Sequence, residues 1–357
     1  MIQLTLSRGS GWSVPCVSIQ LTLSQNVHMF KAAFWPLLTL LHVSNGLTIV
    51  VAAANGKVGR HVLAALAGND ILTIVPLVRS TSRLRAELER LDLSASLCDA
   101  MVRDAIECDY TDTDAVSAAF SKIRPGLISF DELRLFLATG NGPRQAEAEC
   151  NVLQAARRVG VTYVVKLSTA TQVLEMESGP YQAHRQVEAA LQQAESLCYT
   201  VLRPNIFMQM TAAPLIGIGA ALAHTDACVH PFADTPISMV DARDVGTVAA
   251  TLLSAREPRE RNAQILELTG PKAVTYRELA QCLSSVRPRP VTCEPVSLEE
   301  HVSAPSLRAF LETLSCCSAT STTIEECIGR PATPLAEFVL RQASEFQPAV
   351  EAHLATN

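Results

Sequence analysis

The sequence predicts an α/β protein built on a doubly wound parallel sheet, with a smaller, discontinuous C-terminal substrate lobe. From Leu47 onward, short apolar runs alternate with segments of helical periodicity. Strands that alternate with helices of this length form βαβ units. The run TYVVKL at 162–167 is almost continuously apolar, which is typical of a parallel strand covered on both faces. A glycine-containing turn between the first strand and the first helix is the third observation.

The elements follow in order along the chain. Strands are predicted at 47–52, 71–78, 105–108, 135–138, 163–167 and 199–202, with helices at 84–91, 114–123, 144–159 and 181–194. After Pro204 the alternation weakens. We predict an apolar, Gly- and Ala-rich helical stretch at 207–223, strands at 237–240 and 265–268, helices at 243–253 and 276–284, and a mainly helical tail from Ser297. Residues 47–205 are therefore predicted as the first domain, and 206–357 as a mixed lobe from which some strands return to the sheet.

The first 46 residues stand apart from this pattern. They contain IQLTLS twice and no acidic residue. Low acidity suits a transit peptide, and the apolar run 32–43 behind Lys31 resembles the hydrophobic region of a signal peptide, but basic residues are sparse and Pro36 interrupts the run. We interpret 1–46 as a poorly ordered extension without a catalytic role.

Composition excludes several classes of protein. The 357 residues are 48% apolar and 18% charged, with a net charge of −6, as expected of a compact soluble protein. The chain has no basic stripe for nucleic acid, and no run long enough to cross a membrane is predicted. The eleven cysteines are scattered without metal-ligand spacing. We therefore expect reduced thiols, no metal and a cytoplasmic location.

The turn after the first strand reads AAANGKVG at 52–59. Glycine is needed where backbone approaches a pyrophosphate, and the helix N-terminus offers free N–H groups to phosphate. Gly56 and Gly59 hold the second and third places of a GxxGxxG spacing, whereas Ala53 holds the first. Either the extra methyl narrows the turn and weakens binding, or the backbone there has an ordinary φ that tolerates it. The predicted phosphate-binding residues are Ala53, Asn55, Gly56, Lys57, Val58 and Gly59, in a Rossmann-type fold.

The end of the second strand bears on which dinucleotide binds. NAD-specific sites commonly place an acid there, whereas an arginine accommodates a 2′-phosphate. This chain has Arg79 and Ser80. We predict NADP(H) as the preferred cofactor, with NAD(H) possible; the alternative is that Arg79 is a solvated surface arginine.

Seven segments resemble the NmrA-like branch of the atypical short-chain dehydrogenase/reductase superfamily. They are Cys108-Asp109, VVKLST at 164–169, HRQVEAAL at 184–191, TVLRPNIFMQM at 200–210, ISMVDARDVG at 237–246, LELTGP at 266–271 and GRPATPLAEF at 329–338. The resemblance implies that Asp109 lies near the adenine, Ala138 and Thr139 near the nicotinamide ribose, Lys166 on the nicotinamide side, and Pro204 and Asn205 over the ring. Asp241 and Asp244 are interpreted as residues that begin a helix.

The catalytic dyad typical of hydride-transferring members, Tyr-x-x-x-Lys, is not present in its usual register. Its lysine place is held by His184 and its tyrosine place by Pro180, with Tyr181 one residue out of register. Tyr181 and Arg185 have a spacing that places both on one helix face, so a Tyr/Arg pair is an alternative. The candidate catalytic residues are Lys166, Ser168, His184 and Tyr181.

Two functions follow from this departure. The first is an NAD(P)H-dependent reductase of a small, electron-poor, quinone-like substrate. The second is a non-catalytic NADP(H) redox sensor that regulates a partner protein. A degenerate scaffold that binds nothing is a third, resting on Ala53. A closed pocket beside the nicotinamide would favour the reductase, and a filled one would favour the sensor. The sequence does not indicate an oligomeric state.

Overall fold

Seven strands form one parallel sheet in the computed structural model, which describes residues 46–69, 71–91, 93–123, 132–176, 181–194, 197–213, 217–222 and 224–346. The strands are β1 (Leu47–Val51), β2 (Leu72–Val78), β3 (Ile106–Glu107), β4 (Glu132–Leu137), β5 (Tyr163–Leu167), β6 (Cys198–Pro204) and β8 (Gln264–Leu268), in the order β3-β2-β1-β4-β5-β6-β8. Two short strands, β7 (Ala227–His230) and β9 (Thr292–Pro295), pair separately. The predicted doubly wound parallel sheet is confirmed. The interpretation of 1–46 as an extension lies outside the described residues, except at Gly46.

Fourteen helices connect and cover the strands over the described residues. They are α1 (Gly59–Leu66), α2 (Thr81–Leu88), α3 (Ala95–Arg103), α4 (Thr113–Ile123), α5 (Gln145–Val159), α6 (Thr171–Leu174), α7 (Gln182–Gln192), α8 (Gly219–Leu222), α9 (Ala242–Ser254), α10 (Tyr276–Ser284), α11 (Leu298–His301), α12 (Pro305–Ser315), α13 (Thr323–Ile328) and α14 (Leu335–Arg341). Single 3-10 turns lie at Met208–Ala212, Pro258–Arg261 and Ala343–Phe346.

The two faces of the sheet are covered by different helices because side chains alternate along each strand. On one face, Ile49 and Val51 pack with buried residues of α1 and α9. On the other, Val50 and Ala52 pack with α4, α5 and α7. Residues Gly46–Asn357 form one compact unit, and a further apolar cluster joins α10, α12 and α14. The boundary predicted at 205/206 stays a prediction.

The order of strands reverses between β1 and β4, where the chain crosses from one half of the sheet to the other. Ligands of such sheets bind outside the carboxyl ends of the strands at this switch point. Both ends, at Ala52 and at Ala138, are buried. This crevice is where the site is expected.

Two predicted elements are wrong. The stretch 207–223 is not one helix: its described part contains the 3-10 turn Met208–Ala212 and then α8. Pro214 in the sequence cannot continue a helix, and Gly217 lies so close to the carbonyl of Thr211 that a Cβ would stand 2.1 Å from it. The segment 237–240 forms two isolated bridges instead of a strand, because Asp241 begins α9 directly after it.

Four elements of the described residues were not predicted, namely α3, α6, β7 and β9. The ten cysteines within the described ranges are free thiols. A helix long and apolar enough to cross a membrane is not found among the described residues.

Candidate cofactor and substrate site

The phosphate turn is held between two strands. The Ala52 amide donates to the Phe136 carbonyl at 3.0 Å, and the Ala54 amide to Leu77 at 3.2 Å. Between them Ala53 has a φ of 48°, so the alternative of an ordinary φ at Ala53 is wrong. A residue with a Cβ pays roughly 1–2 kcal/mol for this left-handed conformation, and the surrounding contacts must offset that cost.

Tyr110 supplies one of those contacts, and sequence reasoning did not identify it. Its hydroxyl accepts from the Ala53 amide at 3.0 Å and donates to the Leu77 carbonyl at 2.6 Å. Burial raises the pKa of Tyr110 well above its usual range. The phenol therefore stays protonated and ties the turn to β2. The position next to Asp109, after β3, was the available signal.

Gly56 and Gly59 bring the start of α1 against the turn. The Gly56 amide donates to the Ala53 carbonyl at 2.7 Å. A Cβ on Gly59 would stand 2.3 Å from that same carbonyl oxygen, and one on Gly56 would stand 3.0 Å from it. Real Cβ contacts this short essentially do not occur, so Gly59 allows an approach that no other residue permits.

The amides that follow the turn are available to an anion. Within the described residues, the N–H groups of Asn55, Lys57 and Val58 have no backbone or side-chain acceptor, and α1 has no acid in its first turn. Free N–H groups at a helix N-terminus bind phosphate. Lys57 Nζ lies 2.8 Å from Met210 Sδ, and burial, then Arg60, lowers the pKa of Lys57. These groups fit a pyrophosphate.

The end of β2 is followed by two arginines, Arg79 and Arg83, that form no salt bridge with a described carboxylate. Arg79 is exposed. Ser80 caps α2 by accepting from the Arg83 amide. The Asp109 carboxylate accepts from the Thr111 amide at 2.9 Å and from its hydroxyl at 2.8 Å. These bonds, aided by Arg144 and Arg79, lower the pKa of Asp109.

A cavity opens at the carboxyl ends of β4, β5 and β6. It is lined by Thr139, Asn141, Leu167, Ser168, Thr169, Ala170, Val173, Tyr181, His184, Pro204, Asn205, Ile206, Phe207, Met210, Phe310 and Leu314. Six predicted site residues share its wall: Thr139, Ser168, Tyr181, His184, Pro204 and Asn205. Lys166 is not among the lining residues. The apolar groups Phe310 and Leu314 come from α12 and were not predicted.

Lys166 lies in a buried network behind the cavity wall. Its Nζ is 2.7 Å from Glu149 Oε2, and both side chains are fully buried. The ammonium also donates to the Leu167 carbonyl and lies 3.2 Å from His184 Nδ1. Glu149 accepts from Thr139 Oγ1 at 3.0 Å. Sequence reasoning missed Glu149, although its position between Gln145 and Val152 on the apolar face of α5 was a readable signal.

Burial and the nearby ammonium of Lys166 lower the pKa of His184 to about 2. The imidazole is therefore neutral at physiological pH. Ser168 is held differently: its hydroxyl donates to Glu188, which pairs with Arg203 at 2.6 Å. Two of the candidate catalytic residues thus contact separate buried ion pairs.

Tyr181 reaches the cavity although it is one residue out of the usual register. Its ring stacks on Phe310, with centroids 4.9 Å apart, and faces His184 at 6.4 Å. Burial raises the pKa of Tyr181, while a hydrogen bond with Asn141 acts in the opposite direction. Arg185 points elsewhere and donates to the carbonyls of Leu174 and Met176. The alternative Tyr/Arg pair is therefore not formed.

The loop after β6 is fixed from the C-terminal part of the chain. Asn205 Nδ2 donates to Ser238 Oγ at 2.8 Å and to the Cys317 carbonyl at 3.1 Å. Asp241 begins α9 as expected, accepting from the Arg243 amide. The carboxylates of Asp241 and Asp244 are thus structural.

Comparison with known proteins agrees with this geometry. An NAD(P)H azoreductase of Xenophilus azovorans is 26% identical over 294 residues, which are 76% of this chain and 99% of that protein. A (4-alkanoyl-5-oxo-2,5-dihydrofuran-3-yl)methyl phosphate reductase of Streptomyces griseus is 28% identical over 313 residues, 84% of this chain and 99% of that protein.

Among solved structures, a triphenylmethane reductase of Citrobacter sp. complexed with NADP(H) matches with a TM-score of 0.63 at 22% identity, over 82% of this chain and 99% of that one. An NADPH-dependent quinone oxidoreductase from Escherichia coli complexed with NADPH matches with the same TM-score and identity, over 83% and 99%. These two likenesses show the Rossmann-type fold.

A family described as NAD(P)H-binding matches residues 53–254, which begin at Ala53 in the phosphate turn and end with α9. The match includes the turn, the cavity residues on β4 to β6 and the buried Lys166 network. It agrees with the predicted cofactor, NADP(H) or NAD(H). The chain belongs to this NAD(P)H-binding family.

Proposed function

We propose that the protein is an NADPH-dependent reductase of a small, flat, electron-poor compound such as a quinone, within the NmrA-like branch. One observation carries the proposal. A cavity with aromatic and apolar walls lies at the carboxyl ends of β4 to β6, and Met210 in its wall contacts Lys57 of the phosphate turn. Because the site is not filled by side chains, it supports a reductase rather than a redox sensor.

The cofactor is assigned to this chain's residues as follows. The free amides of Asn55, Lys57 and Val58 and the Lys57 ammonium hold the pyrophosphate, with Gly56 and Gly59 allowing its close approach. Arg79, with Ser80 beside it, holds the 2′-phosphate. Asp109 lies toward the adenine, and Ala138 and Thr139 toward the nicotinamide ribose. Pro204 and Asn205 bound the ring from the far side. When bound, the reduced nicotinamide supplies a hydride.

The substrate lies against apolar side chains. Phe207, Met210 and Phe310 present flat or flexible apolar surface to the cavity, which suits a conjugated ring. Because its pKa is raised, the Tyr181 phenol stays protonated. It can therefore donate a hydrogen bond to the substrate but does not act as a base. The names of the relatives, reductases of azo compounds and quinones among them, support a conjugated acceptor.

The partner is a small molecule in this proposal, and no regulated protein is needed. The free thiols of the described residues support a reducing, cytoplasmic location.

NADPH oxidation in the presence of tetramethyl-1,4-benzoquinone or an azo dye tests the proposal. We expect acceptor-dependent turnover that is faster with NADPH than with NADH. Phe310→Ala should raise KM for the acceptor, whereas the control Leu340→Ala, which changes a side chain that is 65% exposed, should not. NADPH binding without turnover on any acceptor would refute the reductase and revive the sensor.

A further inference from the structure

The buried Lys166 and Glu149 pair has a consequence for the imidazole on the cavity wall. An ammonium carries three donors and no acceptor. Here the ammonium hydrogen-bonds the Leu167 carbonyl and His184 Nδ1 and forms an ion pair with Glu149, 2.7 Å from Oε2. Since Lys166 only donates, Nδ1 must offer its lone pair, and the single proton of the neutral ring is carried by Nε2.

That Nε2–H group has no competing acceptor nearby. Across the described residues, the other polar atom near the ring is Gln145 Nε2, 3.3 Å from each ring nitrogen. This amide nitrogen donates to Glu149 Oε1 at 3.1 Å, so it cannot accept the proton of His184, and the amide oxygen of Gln145 makes no hydrogen bond with any described residue. Only 5% of the His184 surface is exposed, although the residue lines the cavity. A buried donor without an acceptor is costly unless a ligand satisfies it.

The geometry points to His184 as a neutral hydrogen-bond donor to an uncharged acceptor atom of the substrate, with its tautomer fixed by Lys166. This inference rests on the proposed reductase and specifies the substrate: a carbonyl oxygen or an azo nitrogen that gains negative charge as it is reduced. A preorganised donor stabilises such charge without reorganisation. Lys166 and Glu149 are positioning residues, because they act through the imidazole.

The fixed tautomer also makes the donor independent of pH. The charged or titratable groups that face His184 are Lys166 from β5, Glu149 from α5 and Tyr181 at the start of its own helix. Burial lowers the pKa of His184, and the nearby positive charge of Lys166 lowers it further, so the ring stays neutral. His184 therefore donates at any pH at which the fold is intact.

Long-range ¹H–¹⁵N correlation spectra of ¹⁵N-histidine-labelled wild-type protein test the tautomer directly. We expect the Nε2–H form without titration between about pH 5 and pH 9. An Nδ1–H form, or a titration midpoint in that range, would overturn the inference. Adding tetramethyl-1,4-benzoquinone, whose substituted ring cannot arylate thiols, should shift the Nε2–H signal. No shift at saturating quinone would also overturn it.

Kinetics separate this inference from the proposed function. His184→Phe should lower kcat about 100-fold, His184→Gln should recover part of the loss by supplying an N–H donor, and the exposed control His224→Phe should change nothing. Wild-type turnover that survives His184→Phe would refute the inference and leave the reductase standing. A quinone-shifted Nε2–H signal without wild-type turnover would refute the reductase and leave the binding role standing.

Discussion

Replacing Gly59 with alanine tests the phosphate turn most sharply. The new Cβ would stand 2.3 Å from the Ala53 carbonyl oxygen and 3.0 Å from both the Ala53 carbonyl carbon and Ala54 Cα. All three are backbone atoms, so no side-chain rotation relieves the overlap. The turn must recede by about an ångström to reach an ordinary contact near 3.4 Å. Overpacking of this kind costs about 1–3 kcal/mol, and the helix propensity of alanine returns up to about 1 kcal/mol.

The same displacement should weaken cofactor binding more than it weakens the fold. A shift of about an ångström breaks hydrogen bonds between amides and pyrophosphate, each contributing roughly 1.5–3 kcal/mol. We expect NADPH affinity to fall at least tenfold by calorimetry, with a loss of up to about 2 kcal/mol in urea unfolding. Gly142→Ala is the matched control, because a Cβ there meets nothing within 4 Å. An affinity for NADPH within twofold of wild type would show that the turn is not the pyrophosphate site.

Three further predictions concern charges. Arg79→Ala should weaken NADPH binding about 10- to 100-fold while NADH binding stays unchanged, since a charged hydrogen bond contributes roughly 1.5–3 kcal/mol; equal losses for both cofactors would exclude a 2′-phosphate contact. Lys166→Met should cost about 3–5 kcal/mol in urea unfolding because Glu149 is left buried and unpaired, whereas Lys272→Met at an exposed pair should cost less than about 1 kcal/mol; similar costs would contradict the buried pair. Burial and neighbouring arginines lower the pKa of His61 to about 4. As the pH falls, His61 of the unfolded chain therefore binds a proton at a higher pH than His61 of the folded protein. The free energy of unfolding should fall between about pH 6.5 and pH 4, by up to roughly 1.4 kcal/mol per pH unit. His61→Gln should flatten this slope, and an unchanged slope would count against the shift.

The elements that could be predicted are those with a clear local pattern of apolar residues. The apolar runs gave β1, β2, β5 and β6 to within a residue or two, because strands covered on both faces are recognisable from sequence alone. The segment 237–240 has the same apolar pattern but forms only isolated bridges. Its length is limited by Asp241, whose side chain caps α9. Because α9 begins immediately after residue 241, the β-propensity of the four residues 237–240 is not enough to form a strand.

The candidate site was predictable residue by residue but not as a set of contacts. The sequence indicated Lys166 and His184, and the family resemblance implied Lys166 on the nicotinamide side, which stays a prediction. What the sequence did not indicate is the pairing of its ammonium with Glu149, which lies 17 residues earlier on another element. The left-handed φ of Ala53 is likewise compensated by Tyr110, 57 residues away. Such compensation depends on tertiary contacts, which periodicity and motif spacing do not encode.

The loop after β6, which we propose closes the nicotinamide side, is held by contacts between the two predicted halves of the chain. Asn205 follows β6, but its amide nitrogen is bound to the carbonyl of Cys317, 112 residues later. Its backbone amide donates to Leu268 at the end of β8. The C-terminal segment thus fixes the position of Asn205, a proposed cofactor-site residue, and also supplies Phe310 to the wall of the cavity. A change that loosens α12 should therefore disturb the substrate wall and the Asn205 loop together, because both depend on contacts from the C-terminal segment.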